Sequence, residues 1–403
     1  METRTSARDL FDAVYGLRTF LVDYEEALIQ AALALLTRNH MFLVGPTGQG
    51  KSTFLSLLSE LFDGATVFRP QLSAFTIPDH LIGPPIPSVY RREGKQLYYI
   101  DGGICDAQIA LLEEFPDAGV ALARALNTIL LERRFVTKDA SYNVKLHSAF
   151  MTGNNVPQGE QWEAVRARQL FFFQAPRLRS ISGRFSAMET NDLRRTGKYP
   201  HAGIPFADIE ALARDVDQIR VSPGVMLVLA WCLSRFEERC ASKSLPGHLM
   251  NTRSQNNLLP VLRAVALVKE SREVTYEHLR ALKHVLPAGD NPDFHVARRI
   301  WDEVVEIAVP HQGHLQEFRG YDQLGALMDQ LHRMRLGPHR PQEMMFELPY
   351  TAIKLFGETG FNDWIANCKG LVCLGDLVDE VRRTGLTVFR ERREHATASS
   401  LLS

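Results

Sequence analysis

The eight residues Gly45-Pro46-Thr47-Gly48-Gln49-Gly50-Lys51-Ser52 constrain this chain more than any other feature. They satisfy the pattern G-x-x-x-x-G-K-[ST]. A short apolar run, residues 41–44, precedes them, and helical spacing through Phe54, Leu55, Leu58 and Leu61 comes directly after. In a strand, glycine-rich loop and helix of this kind, successive backbone N–H groups wrap around phosphate oxygens. Lys51 then reaches the β- and γ-phosphates of ATP, and the Ser52 hydroxyl holds Mg²⁺. With Thr53, which opens the helix beside them, these residues form the candidate nucleotide site.

The surrounding pattern predicts an α/β fold. Apolar strands are expected at residues 66–68, 109–112, 147–152 and 170–174, with a helix over 118–131 between them. Short apolar strands separated by helices indicate a parallel sheet covered on both faces. Upstream, residues 8–37 read as two amphipathic helices. Two hairpins are expected to interrupt the core, one over 88–101 turning at Glu93-Gly94 and one over 134–147. Residues 196–205, rich in Gly and Pro, read as a linker. Ser222-Pro223 reads as a helix start, and the chain beyond it is mostly helical in pattern. Domain breaks are placed near residues 200 and 290.

The sequence IALLEE, residues 109–114, is a buried-type strand ending in two acids. A phosphate-loop ATPase needs one carboxylate beside the loop to orient the shell of Mg²⁺ and another to polarise the attacking water. Glu113 is assigned to the metal, together with Ser52, and Glu114 to the water. In MTGNN, Asn154 or Asn155 offers an amide to the γ-phosphate or the water. Arginines 166, 168 and 184 are candidates for a finger reaching a neighbouring subunit's nucleotide. Arg253 is a candidate for facing the nucleotide from the second domain.

Bulk properties narrow the function classes. Forty-six Lys and Arg against 47 Asp and Glu leave a formal charge of −1, unlike a protein that coats nucleic acid by bulk electrostatics. The five cysteines are scattered and suggest no zinc site and no disulfide framework. The N-terminus carries charges throughout and no signal-peptide pattern, and no apolar run is long enough for a bilayer. A soluble, cytoplasmic protein without membrane insertion is expected.

In these motifs and their order the chain resembles the MoxR branch of the AAA+ ATPases, and within it the RavA-like proteins, over roughly residues 15–290. GPTGQGKST stands at the Walker A position, IALLEE at Walker B, and FTIPDHLIGPP (75–85) at a segment typical of the branch. Hairpin 88–101 stands at the second-helix insertion and 134–147 at the pre-sensor hairpin. The resemblance implies that Asn154 is the first sensor, favours Arg168 as the finger with Arg184 retained, and points to Arg253 as the second sensor. It further implies an AAA+ core with a five-stranded parallel sheet over residues 1–200, an all-α lid over 201–290, and a mostly helical region over 291–403. A homo-oligomeric ring, a hexamer in most relatives, is implied, as is a partner carrying a von Willebrand factor A domain. The branch usually has Asp where this chain has Glu113, and the tail after residue 290 departs from RavA-like proteins. Three functions are compatible with these features: an ATP-driven remodelling enzyme, an ATP-gated scaffold that hydrolyses poorly because of Glu113, and a DNA-acting motor using Arg91, Arg92 and Lys95. The first is ranked highest and the last lowest.

Overall fold

The computed structural model describes residues 4–118, 120–155, 170–178, 180–195, 203–245, 255–309, 315–336, 373, 375–381 and 383–384. In chain order the strands are β1 (Met41–Val44), β2 (Phe62–Asp63), β3 (Val67–Phe68), β4 (Ile109–Leu112), β5 (Arg134–Val136), β6 (Ser141–Asn143), β7 (Ser148–Gly153), β8 (Phe171–Gln174), β9 (Ile204–Pro205), β10 (Arg220–Val221) and β11 (Glu273–Val274). Five of them form one parallel sheet in the order β3-β4-β7-β1-β8. Every residue of β1, β4 and β7 is buried. Burial on both faces explains why these strands read as continuous apolar runs rather than alternating ones.

The chain packs as two compact units. One comprises residues 1–219, 246–272 and 281–298; the other comprises 220–245, 273–280 and 299–403. The first unit holds the sheet. Within it, helix Glu25–Thr37 is not amphipathic, as its sequence suggests, but buried nearly all round, from Ala27 and Leu28 to Leu36. It contacts β1 and β8 and also helices Phe206–Gln218 and Leu258–Val268. An Ala/Leu-rich helix suits that sandwiched position because small side chains permit close approach on two sides. In the second unit, Ser222 accepts a hydrogen bond from the Val225 amide and Pro223 opens helix Pro223–Ser242, as expected. Phe236 meets Trp301 edge-on at 5.7 Å, and the Trp301 indole donates to the Leu279 carbonyl.

One local expectation is corrected. Residues 88–101 do not form a hairpin, because Pro87–Glu93 is a helix. Pro87 pre-sets its first turn, and Gly94, at φ +66°, ends it while donating its amide to the Tyr90 carbonyl. Glu93-Gly94 is therefore a helix end, not a hairpin turn. Strand-like pairing survives only on its flanks, through Ile86 N to Leu97 O and Tyr99 N to Pro84 O. Arg91 and Arg92 lie on this helix and Lys95 pairs with Glu93, so the hairpin invoked for a DNA-acting motor is absent. Of the expected linker, residues 196–202 lie outside the described residues, and at its end Ile204 pairs with Phe62 in a short parallel bridge. The second hairpin forms as expected, with β5 antiparallel to β6. The Tyr142 hydroxyl and the Asp139 carboxylate accept the amides of Tyr98 and Gln96, joining the two insertions.

At the opposite end of the sheet from the glycine-rich loop, a polar cluster closes the core. Arg133 donates to the carbonyls of Leu130, Arg38 and His147. His40 Nδ1 accepts the Ala149 amide, which leaves its proton on Nε2 to donate to Leu130 O. His147 Nε2 donates to Leu35 O at 2.7 Å. Burial pushes both imidazoles down, His147 to about 4, with nearby arginine charges adding to the effect. Among the described residues no helix is long and apolar enough to cross a membrane, and Cys105, Cys232, Cys240 and Cys373 are buried free thiols. Cys368 lies outside the described residues.

A His whose folded value lies below its unfolded value binds its proton more readily when unfolded. Stability is therefore full above about pH 6.5 and falls as pH drops toward 4. His147→Gln keeps a donor for Leu35 without the titration. Relative to that variant, the wild type should lose about 2 kcal/mol between pH 7.5 and pH 5, read from urea unfolding. A gap independent of pH would contradict this account.

Candidate functional site

The carboxyl ends of β1, β4 and β7 lie on one edge of the sheet, and each continues directly into a polar segment. β1 runs into Gly45, β4 into Glu113 and Glu114, and β7 into Asn154. In an open parallel sheet this edge is where ligands bind. The loop after β1 turns through Gly48 and Gly50, at φ +82° and +88°, a region that only glycine enters readily. Gly50 then starts helix Lys51–Ser59. Beneath the loop, the Tyr24 hydroxyl donates to the Gln49 carbonyl at 2.7 Å, and its ring packs against Phe54 and Phe173. Burial raises the phenol pKa.

The Lys51 ammonium is folded back onto the loop. It donates to the carbonyls of Gly45 and Pro46 at 2.6 and 2.9 Å and to Asn154 Oδ1 at 3.1 Å. Burial lowers its pKa, and the charge on Glu114 works against that shift. The same Asn154 oxygen accepts from Thr47 Oγ1 at 3.1 Å, while Asn154 Nδ2 donates to Glu114 Oε2 at 2.9 Å. Asn154 thus links the loop lysine to one acid of the pair. Glu114 has left-handed backbone geometry, φ 55° and ψ 40°. This conformation costs a non-glycine residue about 1–3 kcal/mol and is concentrated at functional sites.

Glu113 faces the other way around the loop. Ser52 Oγ donates to its Oε2 at 2.7 Å and Arg69 Nε to its Oε1 at 2.8 Å. Burial works to raise the Glu113 carboxyl, but the hydrogen bonds from Ser52 and Arg69 outweigh it and hold the group below its ordinary value. A hydroxyl and a carboxylate are the hard oxygen donors that Mg²⁺ prefers. Phosphate and water would supply its remaining ligands. The residues present therefore fit Mg²⁺ held together with a nucleotide.

A cleft of about 390 Å³ adjoins the loop, lined by Thr47–Thr53, Glu114 and Asn154 on its polar side. Leu21, Val22, Pro176 and Leu178 line the remainder, with Ala187, Thr190 and Asn191 of helix Ile181–Arg195. That volume suits a small organic ligand. Of the three candidate arginines retained from the sequence, Arg184 is exposed on helix Ile181–Arg195 and does not line the cleft. Arg168 and Arg253 lie outside the described residues, as does Arg166. Tyr24 and Arg69 join the site without any sequence signal. Arg69 sits just beyond the short strand β3, and no motif marks it.

Residues 8–180 match the family model described as the MoxR domain in the MoxR-vWA-beta-propeller ternary systems. The chain is 20% identical over 296 residues to the uncharacterised protein MJ0079 of Methanocaldococcus jannaschii, spanning 73% of this chain and 70% of that protein. It is 26% identical over 155 residues to MJ0812 of the same organism, spanning 38% of this chain and 41% of that protein. A solved structure from Cytophaga hutchinsonii, described as a candidate ATPase, aligns with a TM-score of 0.54 at 17% identity. The alignment covers 74% of this chain and 94% of that one. At that identity the likeness is one of fold.

Removing only the Tyr24 hydroxyl leaves the Gln49 carbonyl without its donor. Tyr24→Phe should lower stability by about 1 kcal/mol in denaturant unfolding. Tyr24→Ala, which also empties the space beneath the loop, should cost about 3–5 kcal/mol. Equal costs for the two would show that the hydrogen bond, and not the ring, holds the loop.

Proposed function

We propose that this chain is a MoxR-type AAA+ ATPase that hydrolyses ATP and uses the cycle to remodel or mature a partner protein, a reading supported by the match of residues 8–180 to a MoxR domain model. The observation that carries the reading is the Asn154 amide, which contacts Lys51 and Thr47 through its oxygen and Glu114 through its nitrogen. In this reading one side chain both senses the γ-phosphate and holds the carboxylate that activates water.

In this reading the triphosphate lies along Thr47–Thr53 and the base lies against Leu21, Val22, Pro176 and Leu178. Lys51 exchanges the carbonyls of Gly45 and Pro46 for phosphate oxygens. Ser52 and Glu113 would hold Mg²⁺, which would neutralise charge on the phosphates. Glu114 accepts a proton from the attacking water, the bond from the γ-phosphorus to its bridging oxygen breaks, and ADP and phosphate leave. Arg168 or Arg184 from a neighbouring copy completes the site as a finger, and Arg253 contacts the nucleotide from the lid.

The requirement for a donated arginine makes a ring the working assembly, with a hexamer as the proposed size. Ile181, Phe185 and Met188, at i, i+4 and i+7 of one helix, are 88%, 63% and 67% exposed, and such an apolar stripe supports an interface. The proposed functional division keeps the core at residues 1–200, the lid at 201–290 and a partner-selecting region at 291–403. A protein with a von Willebrand factor A domain is the proposed partner, in keeping with the systems for which the matching family model is described. The reading sets the chain in the cytoplasm, where ATP is supplied.

The test is phosphate release by wild type, Lys51→Ala and Glu114→Gln. Lys51→Ala should lose both nucleotide affinity and turnover. Glu114→Gln should keep affinity while turnover falls by about 10²–10⁴. Equal rates for all three proteins would sink the proposal.

A further inference from the structure

Arg69 makes more contacts than a surface ion pair needs. Its Nε holds Glu113 Oε1 at 2.8 Å, Nη1 donates to Ser56 Oγ at 3.0 Å, and Nη2 faces the Ser52 carbonyl at 3.5 Å. Ser56 Oγ in turn donates to the Ser52 carbonyl at 3.0 Å. The guanidinium therefore grips the helix turn that carries the Ser52 hydroxyl and, at the same time, the carboxylate bonded to that hydroxyl. Its side chain is 34% exposed and that of Glu113 21%, so water competes only in part. The backbone reinforces the arrangement: Glu113 donates its amide to Pro70 O and accepts from the Leu72 amide, which fixes the segment bearing Arg69 against the end of β4.

A glutamate carries one more rotatable bond than an aspartate, so its carboxylate is harder to hold at one point. Here both oxygens are engaged, one by Ser52 and the other by Arg69. The planar fork of Arg69 reaches Glu113 and Ser56 from separate nitrogens in fixed directions, whereas a lysine ammonium offers its donors from a single point. We infer that Arg69 is a positioning residue that clamps the longer arm of Glu113 against Ser52 and so makes the pair competent to hold the metal that accompanies nucleotide. The inference rests on the Mg²⁺–ATP reading above.

The test is calorimetry with ADP, in EDTA and in Mg²⁺, on wild type, Arg69→Ala, Arg69→Lys and the double variant Arg69→Ala/Glu113→Asp, with folding checked by circular dichroism. Affinity in EDTA is each protein's own reference, against which the gain on adding Mg²⁺ is read. The gain in affinity on adding Mg²⁺ should shrink by about 10–100-fold in Arg69→Ala, the range found when partners of metal ligands are removed. The loss should be smaller in Arg69→Lys. The double variant should regain much of it, since the shorter aspartate needs no clamp, a rescue that general structural damage would not produce. An unchanged Mg²⁺ gain in Arg69→Ala would overturn the inference. So would a larger gain, which would make Arg69 a competitor of the metal, or an equal loss with and without Mg²⁺. No binding of ADP by the wild type in either condition would instead overturn the nucleotide reading itself.

Discussion

Strand β1, hydrogen-bonded to β7 on one side and β8 on the other, starts the glycine-rich loop and sets it beside Asn154. Register along β1 and β7 pairs Val44 with Gly153, so the next residues of each strand, Gly45 and Asn154, leave the sheet side by side. β4 on the far side of β7 delivers Glu113 and Glu114 to the same edge. These strands are short and wholly buried, so a slip by one residue would expose apolar surface and displace the groups at their ends. Core packing and site geometry are thus one constraint.

Charge is balanced within the site as it stands. Lys51 and Arg69 provide two positive groups, and Glu113 and Glu114 two negative ones. Lys51 and Glu114 are held by hydrogen bonds that a nucleotide would have to replace, to loop carbonyls and to Asn154, while Glu113 keeps the bonds from Ser52 and Arg69 that position it. Binding is then an exchange of partners among charges already desolvated in part, which limits the cost of bringing a highly charged ligand into the cleft. The left-handed backbone at Glu114 fits the same picture, because it aims a carboxylate into the cleft immediately after a strand.

Much of this is legible in the sequence because local rules and tertiary demands agree there. The apolar runs of β1, β4 and β7 suit only buried strands, and the glycine-rich loop suits only one kind of turn. The acids and Asn154 stand out because they come straight after those strands. Where a local signal has two readings, the sequence misleads: Glu93-Gly94 suits a hairpin turn and a helix end equally, and Pro87 decides for the helix. The burial of helix Glu25–Thr37 on nearly all sides depends on helices far along the chain, which no local period records. Tyr24 and Arg69 are invisible for a related reason. Each acts on the loop across the fold, from positions 25 and 17 residues away from Gln49 and Ser52 respectively, and neither belongs to a motif.

In the proposed function Gly45–Thr53 closes around a triphosphate with Mg²⁺. Calorimetric titration with a non-hydrolysable ATP analogue in the presence of Mg²⁺ addresses it without reference to turnover, assembly or partner. One site per chain is expected, with a dissociation constant in the range of about 1 μM to 1 mM, corresponding to about −8 to −4 kcal/mol, and with binding abolished in Lys51→Ala. Absence of heat at any ligand concentration up to the millimolar range, or binding unaffected by Lys51→Ala, would contradict it.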